Sequence, residues 1–407
     1  MMTIGIGGST PEQELVKLSS WTIDLMPITA DEIRQRQLKA QSLMAVHNID
    51  ALYLNAGTNL YYFTGLDWYA SERMVGAVLT RDGKLFYIAP HFELGTLSDY
   101  LQIEAEIVTW HEHESPYELL AATLAENGIA SGKLAIDESS PFFLVDGIQK
   151  ACVSIETSNA LPVTQGCRGQ KSATELAIMQ RAMDMTLEVQ KAVARILYEG
   201  ISTQEVTEFI DKAHRKLGAT GGSYFCIVLF GEDSSYPHGV KTPKTLEAGD
   251  AVLIDTGCEL FGYHSDITRT YVFGNPSDKQ RQIWALEKQA QLAAFDAAKL
   301  GEACGQVDDA ARDVIVRAGL GPDYQLPGLP HRTGHGIGLE IHEGPYLVAS
   351  ETTLLAEGMC FSNEPMICIP DEFGIRLEDH FYMTSQGPKW FTQPSYSIDD
   401  PFGYQKR

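Results

Sequence analysis

The chain has 407 residues, which is long for one hydrophobic core and suits two domains. Hydrophobic residues make up 44% and charged residues 21%, which is typical of a globular protein that folds in water. A net charge of −23 argues against nucleic acid or an anionic membrane as a partner, because both repel an acidic protein.

The N-terminal half predicts an α/β domain. The first thirty residues show no clear period, and we expect no signal peptide because a basic start and a long apolar run are both missing. A helical pattern then runs from Asp31 to Asn48, and Asp50–Asn55 is typical of a strand. Ala77–Pro90 predicts a β-hairpin with Asp82-Gly83 in its turn. Strands and helices alternate further on, so we assign residues 1–165 to this domain.

The turn-rich segment Leu161–Ser172 predicts the domain boundary, and residues 166–407 form the second domain. Capping boxes predict three helix starts there, because a serine and the Glu or Gln three residues later satisfy the first free N–H groups of a helix. The pairs are Ser172 with Glu175, Ser202 with Glu205, and Ser277 with Gln280.

The cysteine pattern bears on the cellular compartment. Seven cysteines are scattered along the chain without a CxxC pair, which predicts reduced thiols in a cytoplasmic protein rather than a zinc–thiolate site. No segment offers 18 consecutive apolar residues, so we expect no transmembrane helix.

Three segments of the second domain carry potential metal ligands. The first is DAVLIDTGCELFGYHSDITRTYVFG, in which Asp255 ends an apolar strand and Asp266 starts another. A hairpin of this length could bring the two carboxylates side by side. The second is TGHGIGLEIHEGP, where His335 lies between two glycines that allow a close backbone path. The third is SNEPMICIPDEFGIRLED, with Glu364 and Glu378 on strand-like runs.

Each segment alone also fits ordinary turn, structural or solvated residues, and only the combination favours a metal site. Four carboxylates that converge in a core repel each other unless cations neutralise them. One imidazole with four carboxylates suits Mn²⁺, Co²⁺ or Zn²⁺. Two such ions roughly 3.5–4 Å apart could share a water and lower its pKa toward about 7.

Taken in order, DTG…YHSDITRTYVFG, GHGIGLEIHEGP, NEP and GIRLED resemble the metal-binding segments of the pita-bread metallopeptidases. This family includes prolidase, aminopeptidase P, methionine aminopeptidase and creatinase. NLYYFTGL, Asn59–Leu66, is similar to a segment in the N-terminal domain of the prolidase, aminopeptidase P and creatinase branch. The resemblance covers nearly the whole chain. It implies an α/β N-terminal domain and a pita-bread catalytic domain, which is a curved antiparallel sheet backed by helices.

The implied activity is hydrolysis of the peptide bond before proline in Xaa-Pro dipeptides, by a hydroxide that bridges two divalent metals. Mn²⁺ is the first expectation for the metals, with Co²⁺ or Zn²⁺ as alternatives. Two related activities stay open, namely Xaa-Pro aminopeptidase action on longer peptides and a side activity on organophosphates. A creatinase-like enzyme without metals, or a non-catalytic binding module, fits the intact ligand set poorly.

The resemblance also implies roles for the ligands. Asp255 would bind one metal, and Asp266 and Glu378 would bridge both. His335 and Glu364 would complete the other site, and Glu364 would also shuttle protons.

Four further residues are implied to be catalytic or substrate-binding. His238 would contact the substrate near the scissile bond, and His342 would stabilise the oxyanion or donate to the leaving nitrogen. Arg376 would be linked to the site. Tyr346 stands where some prolidases carry an arginine that holds the substrate carboxylate, so we expect weaker selection for a free C-terminus. Arg376, His238 or an N-terminal residue could compensate.

Other aromatic residues and histidines receive lesser roles. The resemblance implies a homodimer in which Trp68 or Tyr69 could reach the partner's active site, although both also fit ordinary surface or core positions. Met366 and Cys368 replace a glycine and a tyrosine of many prolidases, which puts a role for that hydroxyl in doubt. Structural or solvated roles suit the remaining candidates better: His111, His113, His264 and His331.

Overall fold

The computed structural model describes residues 3–405, which fold into two compact units. The smaller unit spans Ile28–Arg168, and the larger unit combines the described parts of Met1–Pro27 and Gly169–Arg407. The residues before Ile28 therefore group with the second half of the chain, whereas the sequence analysis places them with the first. The reason is α1 (Pro11–Lys17), whose buried Glu14 carboxylate forms an ion pair with Arg195 at 2.8 Å.

The smaller unit contains one mixed sheet of six strands in the order β4-β3-β2-β1-β5-β6. Neighbours β1, β2 and β3 are antiparallel, whereas the pairs β3–β4, β1–β5 and β5–β6 are parallel. The strands are β1 (Ala51–Asn55), β2 (Gly76–Thr80), β3 (Leu85–Pro90), β4 (Glu106–Trp110), β5 (Gly132–Ile136) and β6 (Ile155–Asn159). The helices are α2 (Ala30–Val46), α3 (Thr58–Thr64), α4 (Leu94–Tyr100), α5 (Pro116–Glu126), α6 (Phe142–Ala151) and α7 (Leu161–Arg168). The predicted α/β character is confirmed.

The predicted hairpin forms between β2 and β3. Gly83 adopts a φ of +94°, which a residue without a Cβ tolerates at no steric cost. Asp82 does not share this conformation, and its carboxylate instead accepts a hydrogen bond from the Thr80 hydroxyl at 2.5 Å.

The predicted boundary segment needs a correction, because most of it is α7 rather than a series of turns. The Asn159 side chain accepts a hydrogen bond from the Leu161 N–H at 2.8 Å and satisfies a free donor at the helix start. Val163 and Cys167, four residues apart, are both buried on one helix face.

The larger unit consists of helices and antiparallel strands. Besides α1, its helices are α8 (Ala173–Ile196), α9 (Thr203–Leu217), α10 (Asp278–Ala297) and α11 (Cys304–Arg317). All three predicted capping boxes form, at the starts of α8, α9 and α10. Among the described residues, no helix combines the length and the apolar character that crossing a membrane requires.

The strands of the larger unit form three sheets with antiparallel pairing. The first contains β7 (Ser223–Phe230), β8 (Ala251–Leu260), β9 (Tyr263–His264) and β10 (Ile267–Val272). The second has the order β12-β11-β13-β16-β17, with β11 (Gly334–Gly336), β12 (Glu343–Leu347), β13 (Cys360–Asn363), β16 (Asp379–Thr384) and β17 (Gly387–Trp390). The third pairs β14 (Met366–Ile369) with β15 (Phe373–Arg376).

Buried helix side chains fix the strands that carry the site. On α8, the Gln190 amide donates to the carbonyls of Ile254 and Ile267, each at 2.9 Å. On α10, the Gln291 amide donates to the Leu377 carbonyl at 3.0 Å. Because these buried groups are costly to leave unpaired, the helices hold β8, β10 and the approach to β16 in one arrangement.

Candidate metal centre and active-site cavity

Two buried aspartates lie on neighbouring strands. β8 and β10 pair with Asp255 opposite Thr268, and Asp266 directly precedes β10. The sequence analysis predicts that Asp255 ends its strand, but Asp255 lies in the middle of β8. The strand continues to Leu260 because β7 pairs with it as far as Cys258 and β9 pairs with its last two residues.

The three remaining predicted ligands come from the second sheet. His335 is the central residue of β11, Glu364 follows β13, and Glu378 precedes β16. Nε2 of His335 lies 3.2 Å from Oε1 of Glu364 and 3.7 Å from Oδ2 of Asp266. Asp266, His335 and Glu378 also belong, with His380, to a buried group whose potential ligand atoms all lie within 4.8 Å of one another.

The glycines that flank His335 allow this close packing. A Cβ on Gly334 would lie 2.2 Å from the Ser362 carbonyl oxygen, and one on Gly336 would lie 2.5 Å from that of Glu343. The adjacent strands can therefore approach β11 only where side chains are missing. Nδ1 of His335 lies 3.0 Å from the Gly336 carbonyl oxygen, and a hydrogen bond from Nδ1 to this carbonyl would leave Nε2, which faces the carboxylates, available to bind a metal.

The buried carboxylates of this cluster outnumber the positively charged groups that could neutralise them. Burial first, and then the neighbouring carboxylates, raise the pKa of Asp266 and of Glu378 well above the ordinary values. Burial also acts to raise the pKa of Glu364, but the contact with His335 and the charges of His331 and Arg376 together outweigh burial and lower it. One oxygen each of Asp255, Asp266 and Glu378 has no hydrogen-bond partner among the described residues. Unpartnered buried carboxylate oxygens beside one imidazole fit a bound divalent cation.

A cavity of about 560 Å³ opens beside these carboxylates. It brings together the predicted residues His238, His342, Glu364 and Arg376. The His342 and His335 ring centroids are 4.1 Å apart. Burial, followed by the charges of His335 and Arg332, lowers the pKa of His342 to about 4. A neutral His342 can donate one hydrogen bond to a substrate in the cavity. The complete lining is Pro237, His238, Pro330, His331, Arg332, His342, Glu364 and Arg376.

Arg376 contacts the ligand set directly. Its Nη2 donates to Oδ2 of Asp255 at 2.5 Å, and its Nε donates to the Thr268 hydroxyl at 3.0 Å. Its Nη1 donates to the Pro237 carbonyl at 3.3 Å. Burial acts to lower the pKa of Arg376, but the surrounding carboxylates outweigh it and raise the pKa. The guanidinium is therefore charged and largely committed to holding Asp255.

Comparison with protein families agrees with this geometry. The model described as Creatinase/Prolidase N-terminal domain matches residues 36–170, and that of metallopeptidase family M24 matches residues 177–385. The chain belongs to metallopeptidase family M24. The family and the fold predicted from the sequence are thereby confirmed.

Relatives of this M24 chain match along most of their length. The putative dipeptidase YkvY of Bacillus subtilis is 35% identical over 347 residues, which cover 84% of this chain and 93% of the relative. The Xaa-Pro dipeptidase of Pyrococcus furiosus is 30% identical over 362 residues, covering 89% and 98%. The crystal structure of dipeptidase PepE from Mycobacterium ulcerans superposes with a TM-score of 0.83 at 30% identity, covering 90% of this chain and 97% of that one.

His380 is a member of the M24 cluster that the sequence analysis misses. It is fully buried, and neither ring nitrogen has a hydrogen-bond partner among the described residues. Burial, and then the charge of His335, lower its pKa well below the ordinary value, so the ring is neutral and able to bind a metal. The missed signal is strand periodicity, because His380 lies two residues after Glu378 and shares its face.

Tyr346 lies opposite His335 on the neighbouring strand β12. Cζ of Arg332 lies 4.2 Å from the centroid of the Tyr346 ring. Among the residues that the structure describes, the cavity wall includes Arg332 rather than Tyr346.

The residues with lesser predicted roles are distributed as follows. His331 lines the cavity and does not lie in a helix. His264 packs against the Tyr224 ring, with ring centroids 4.2 Å apart. His111 and His113 are exposed. Burial raises the pKa of Cys368 to about 12, so this residue stays a protonated thiol.

Proposed function

We propose that this M24 chain is a dinuclear metallohydrolase that cleaves the peptide bond before proline, with Xaa-Pro dipeptides as preferred substrates. The proposal is carried by one observation, namely that buried carboxylates with unpartnered oxygens adjoin a cavity that also holds His238 and His342. Relatives named Xaa-Pro dipeptidase support the substrate class.

The metals of the proposal are two divalent ions, Mn²⁺ first and Co²⁺ or Zn²⁺ as alternatives. When bound, they would lower the pKa of a water toward about 7 and polarise the carbonyl of the scissile bond. The residues proposed to hold them are Asp255, Asp266, His335, Glu364 and Glu378.

The chain's own groups would then position the substrate and move protons. Glu364 reaches both the cavity and His335, so it is the proposed carrier of the proton from the attacking water to the leaving proline nitrogen. His342 would donate a hydrogen bond to the carbonyl oxygen or the leaving nitrogen, and His238 would contact the substrate beside that bond. Arg376 acts as a positioning residue, because its donors hold Asp255.

Selection for proline rests on its chemistry. Proline forms a tertiary amide without an N–H, so a cavity that offers no acceptor to that nitrogen loses nothing when it binds the ring. The rings of Pro237 and Pro330 supply apolar wall on the same cavity.

The decisive experiment removes all metal by exhaustive chelation and restores Mn²⁺, Co²⁺ or Zn²⁺ separately. Hydrolysis of an Xaa-Pro dipeptide and of the matching Xaa-Pro tripeptide is measured on each sample, together with its metal content. We expect activity to return as two ions bind per chain, with the dipeptide cleaved faster. Full activity in the chelated sample contradicts the metal proposal, and faster cleavage of the tripeptide favours the aminopeptidase alternative.

We also propose a cytoplasmic homodimer. The location rests on the cysteine pattern. In the smaller unit, Tyr69 is 86% exposed, and Trp68 packs against Tyr100 beside a groove of about 700 Å³, which leaves aromatic surface for a partner. Light scattering should give twice the monomer mass at working concentration, and a monomer alone contradicts the dimer.

A further inference from the structure

Arg332 is an arginine that lines the active-site cavity. It lines the same cavity as His342 and Glu364, and its Cζ lies over the Tyr346 ring, 4.2 Å from the ring centroid. Within residues 3–405, no hydrogen bond or ion pair engages that guanidinium.

A second arginine–tyrosine stack shows what a structural role looks like. Cζ of Arg312 lies 4.2 Å from the Tyr324 ring centroid, the same distance as in the cavity. Yet Arg312 also donates to the Asp308 carboxylate at 2.8 Å and to the Leu329 carbonyl at 3.1 Å. Its N–H groups are used to fix the loop before the cavity. Arg332 has the same stack without these bonds, so stacking alone leaves its donors free for a ligand.

The other arginine of the cavity cannot serve instead. Arg376 gives its Nη2, Nε and Nη1 atoms to Asp255, Thr268 and Pro237, as described above. Turning it toward a substrate would strip Asp255 of its ion pair. Of the two arginines that line the cavity within the described part of the chain, Arg332 is therefore the one that can bind an anionic ligand without losing a hydrogen bond or ion pair.

The geometry points to Arg332 as the residue that binds the free C-terminal carboxylate of the substrate. An aromatic ring accepts no conventional hydrogen bond, so the guanidinium N–H groups stay available to the two oxygens of a carboxylate, whose geometry they match. In an Xaa-Pro dipeptide, the carboxylate and the scissile nitrogen belong to the same proline. The carboxylate must therefore lie close to the groups that serve the leaving nitrogen, and Arg332 lines the same cavity as His342.

This inference rests on the proposed function and narrows it to substrates that end at the proline. It also reverses the expectation that selection for a free C-terminus is weak, which was drawn from Tyr346 alone. Tyr346 offers no charge, but its ring holds the charge of Arg332 in place. Tyr346 thus acts as a positioning residue for carboxylate recognition.

The test compares kcat/KM for an Xaa-Pro dipeptide and for its C-terminal amide. The wild-type enzyme should prefer the free acid at least about 10-fold. Arg332→Gln should lower kcat/KM for the acid by about 10- to 150-fold, mainly through KM, and leave the amide nearly unchanged. Arg332→Lys keeps the charge but loses the planar guanidinium, so its kcat/KM for the acid should lie between those of the wild type and Arg332→Gln.

Arg317→Gln is the matched control, because it removes one positive charge from a side chain that is 79% exposed on α11. It should change neither substrate's kinetics. Tyr346→Phe should preserve the preference for the acid, whereas Tyr346→Leu should raise KM for the acid with little change in kcat. Thermal melting and metal content of every variant verify that fold and metals are retained.

The failures are distinguishable. If wild type cleaves Xaa-Pro dipeptides but Arg332→Gln keeps the same acid-to-amide ratio, the inference is overturned and the proposed function stands. An equal loss on both substrates also overturns it, because Arg332 would then act on a part that both share. If wild type cleaves neither substrate, the proposed function itself fails. Should Arg332→Gln not fold, an unchanged ratio in Arg332→Lys and Tyr346→Leu would overturn the inference.

Discussion

Glu378 and Asp379 are neighbours in sequence, yet their carboxylates lie in opposite environments. Asp379 is saturated, because Oδ1 accepts from Arg269 at 2.7 Å and from Thr392 at 3.1 Å, and Oδ2 accepts from Gln291 at 3.1 Å. Glu378 accepts one hydrogen bond, from the Thr268 hydroxyl at 2.7 Å, and its Oε1 has no partner among the described residues.

The difference distinguishes Asp379, a structural carboxylate whose hydrogen bonds are complete, from Glu378, a carboxylate with an oxygen still available to a ligand. Both side chains are buried, so burial alone does not distinguish them. On the Asp379 side, protein donors complete every oxygen and an arginine neutralises the charge. On the Glu378 side, several acids share few donors, and a bound cation would supply the positive charge that their ionised forms need. The predictions below substitute residues on one side or the other.

The largest effect is expected for Asp266→Ala, on the Glu378 side. As a proposed bridging ligand it serves both ions, so its loss should reduce peptidase activity to background and lower the bound metal below one ion per chain. Elemental analysis and Xaa-Pro hydrolysis on the same sample measure this. Retention of two ions with normal turnover would remove Asp266 from the ligand set.

Asp379→Ala, on the opposite side, should act on stability instead. It leaves Arg269 buried without its ion pair, which should cost about 3–5 kcal/mol in the free energy of unfolding. Denaturant unfolding measures the loss, and Asp379→Asn should lose less because an amide oxygen still accepts hydrogen bonds. If the variant kept its stability but lost metal, Asp379 would belong to the metal site and the proposed distinction between Asp379 and Glu378 would be wrong.

His342→Ala tests a residue that adjoins the cluster without belonging to it. Loss of one oxyanion-type donor should lower kcat by about 10²–10³-fold with metal content near two ions per chain. Steady-state kinetics and elemental analysis provide the readouts. Loss of the metals in this variant would instead make His342 a ligand.

The smallest effect is expected for His380→Leu. If its unpartnered nitrogens face the metals, the variant should bind Mn²⁺ about 10- to 100-fold more weakly, measured by titration calorimetry on the metal-free protein. Unchanged affinity together with higher stability would mean that His380 is only a buried polar group whose removal relieves the fold.

Local chemistry made much of the fold predictable from the sequence. The capping boxes of α8, α9 and α10 and the turn at Gly83 depend on residues within a few positions of each other, and all four formed. The order of the metal-binding segments identified the family. The roles of the individual residues stay proposals.

The parts that could not be predicted depend on distant partners. Asp255 looks like a strand end in the sequence, but pairing with β7 continues β8 beyond it. The segment 161–168 looks like turns until Val163 and Cys167 are seen to be buried. His380 and Arg332 each lack a motif, and their environment appears only when distant segments come together.

The packing of α1 in the larger unit has a consequence for folding during synthesis. Glu14 and its partner Arg195 are 181 residues apart, so at about 5–20 residues per second the ribosome needs on the order of ten to forty seconds between them. The smaller unit, which is contiguous from Ile28 to Arg168, is fully synthesised within that interval. Helix α1 therefore cannot form this ion pair until the whole of the smaller unit has been made.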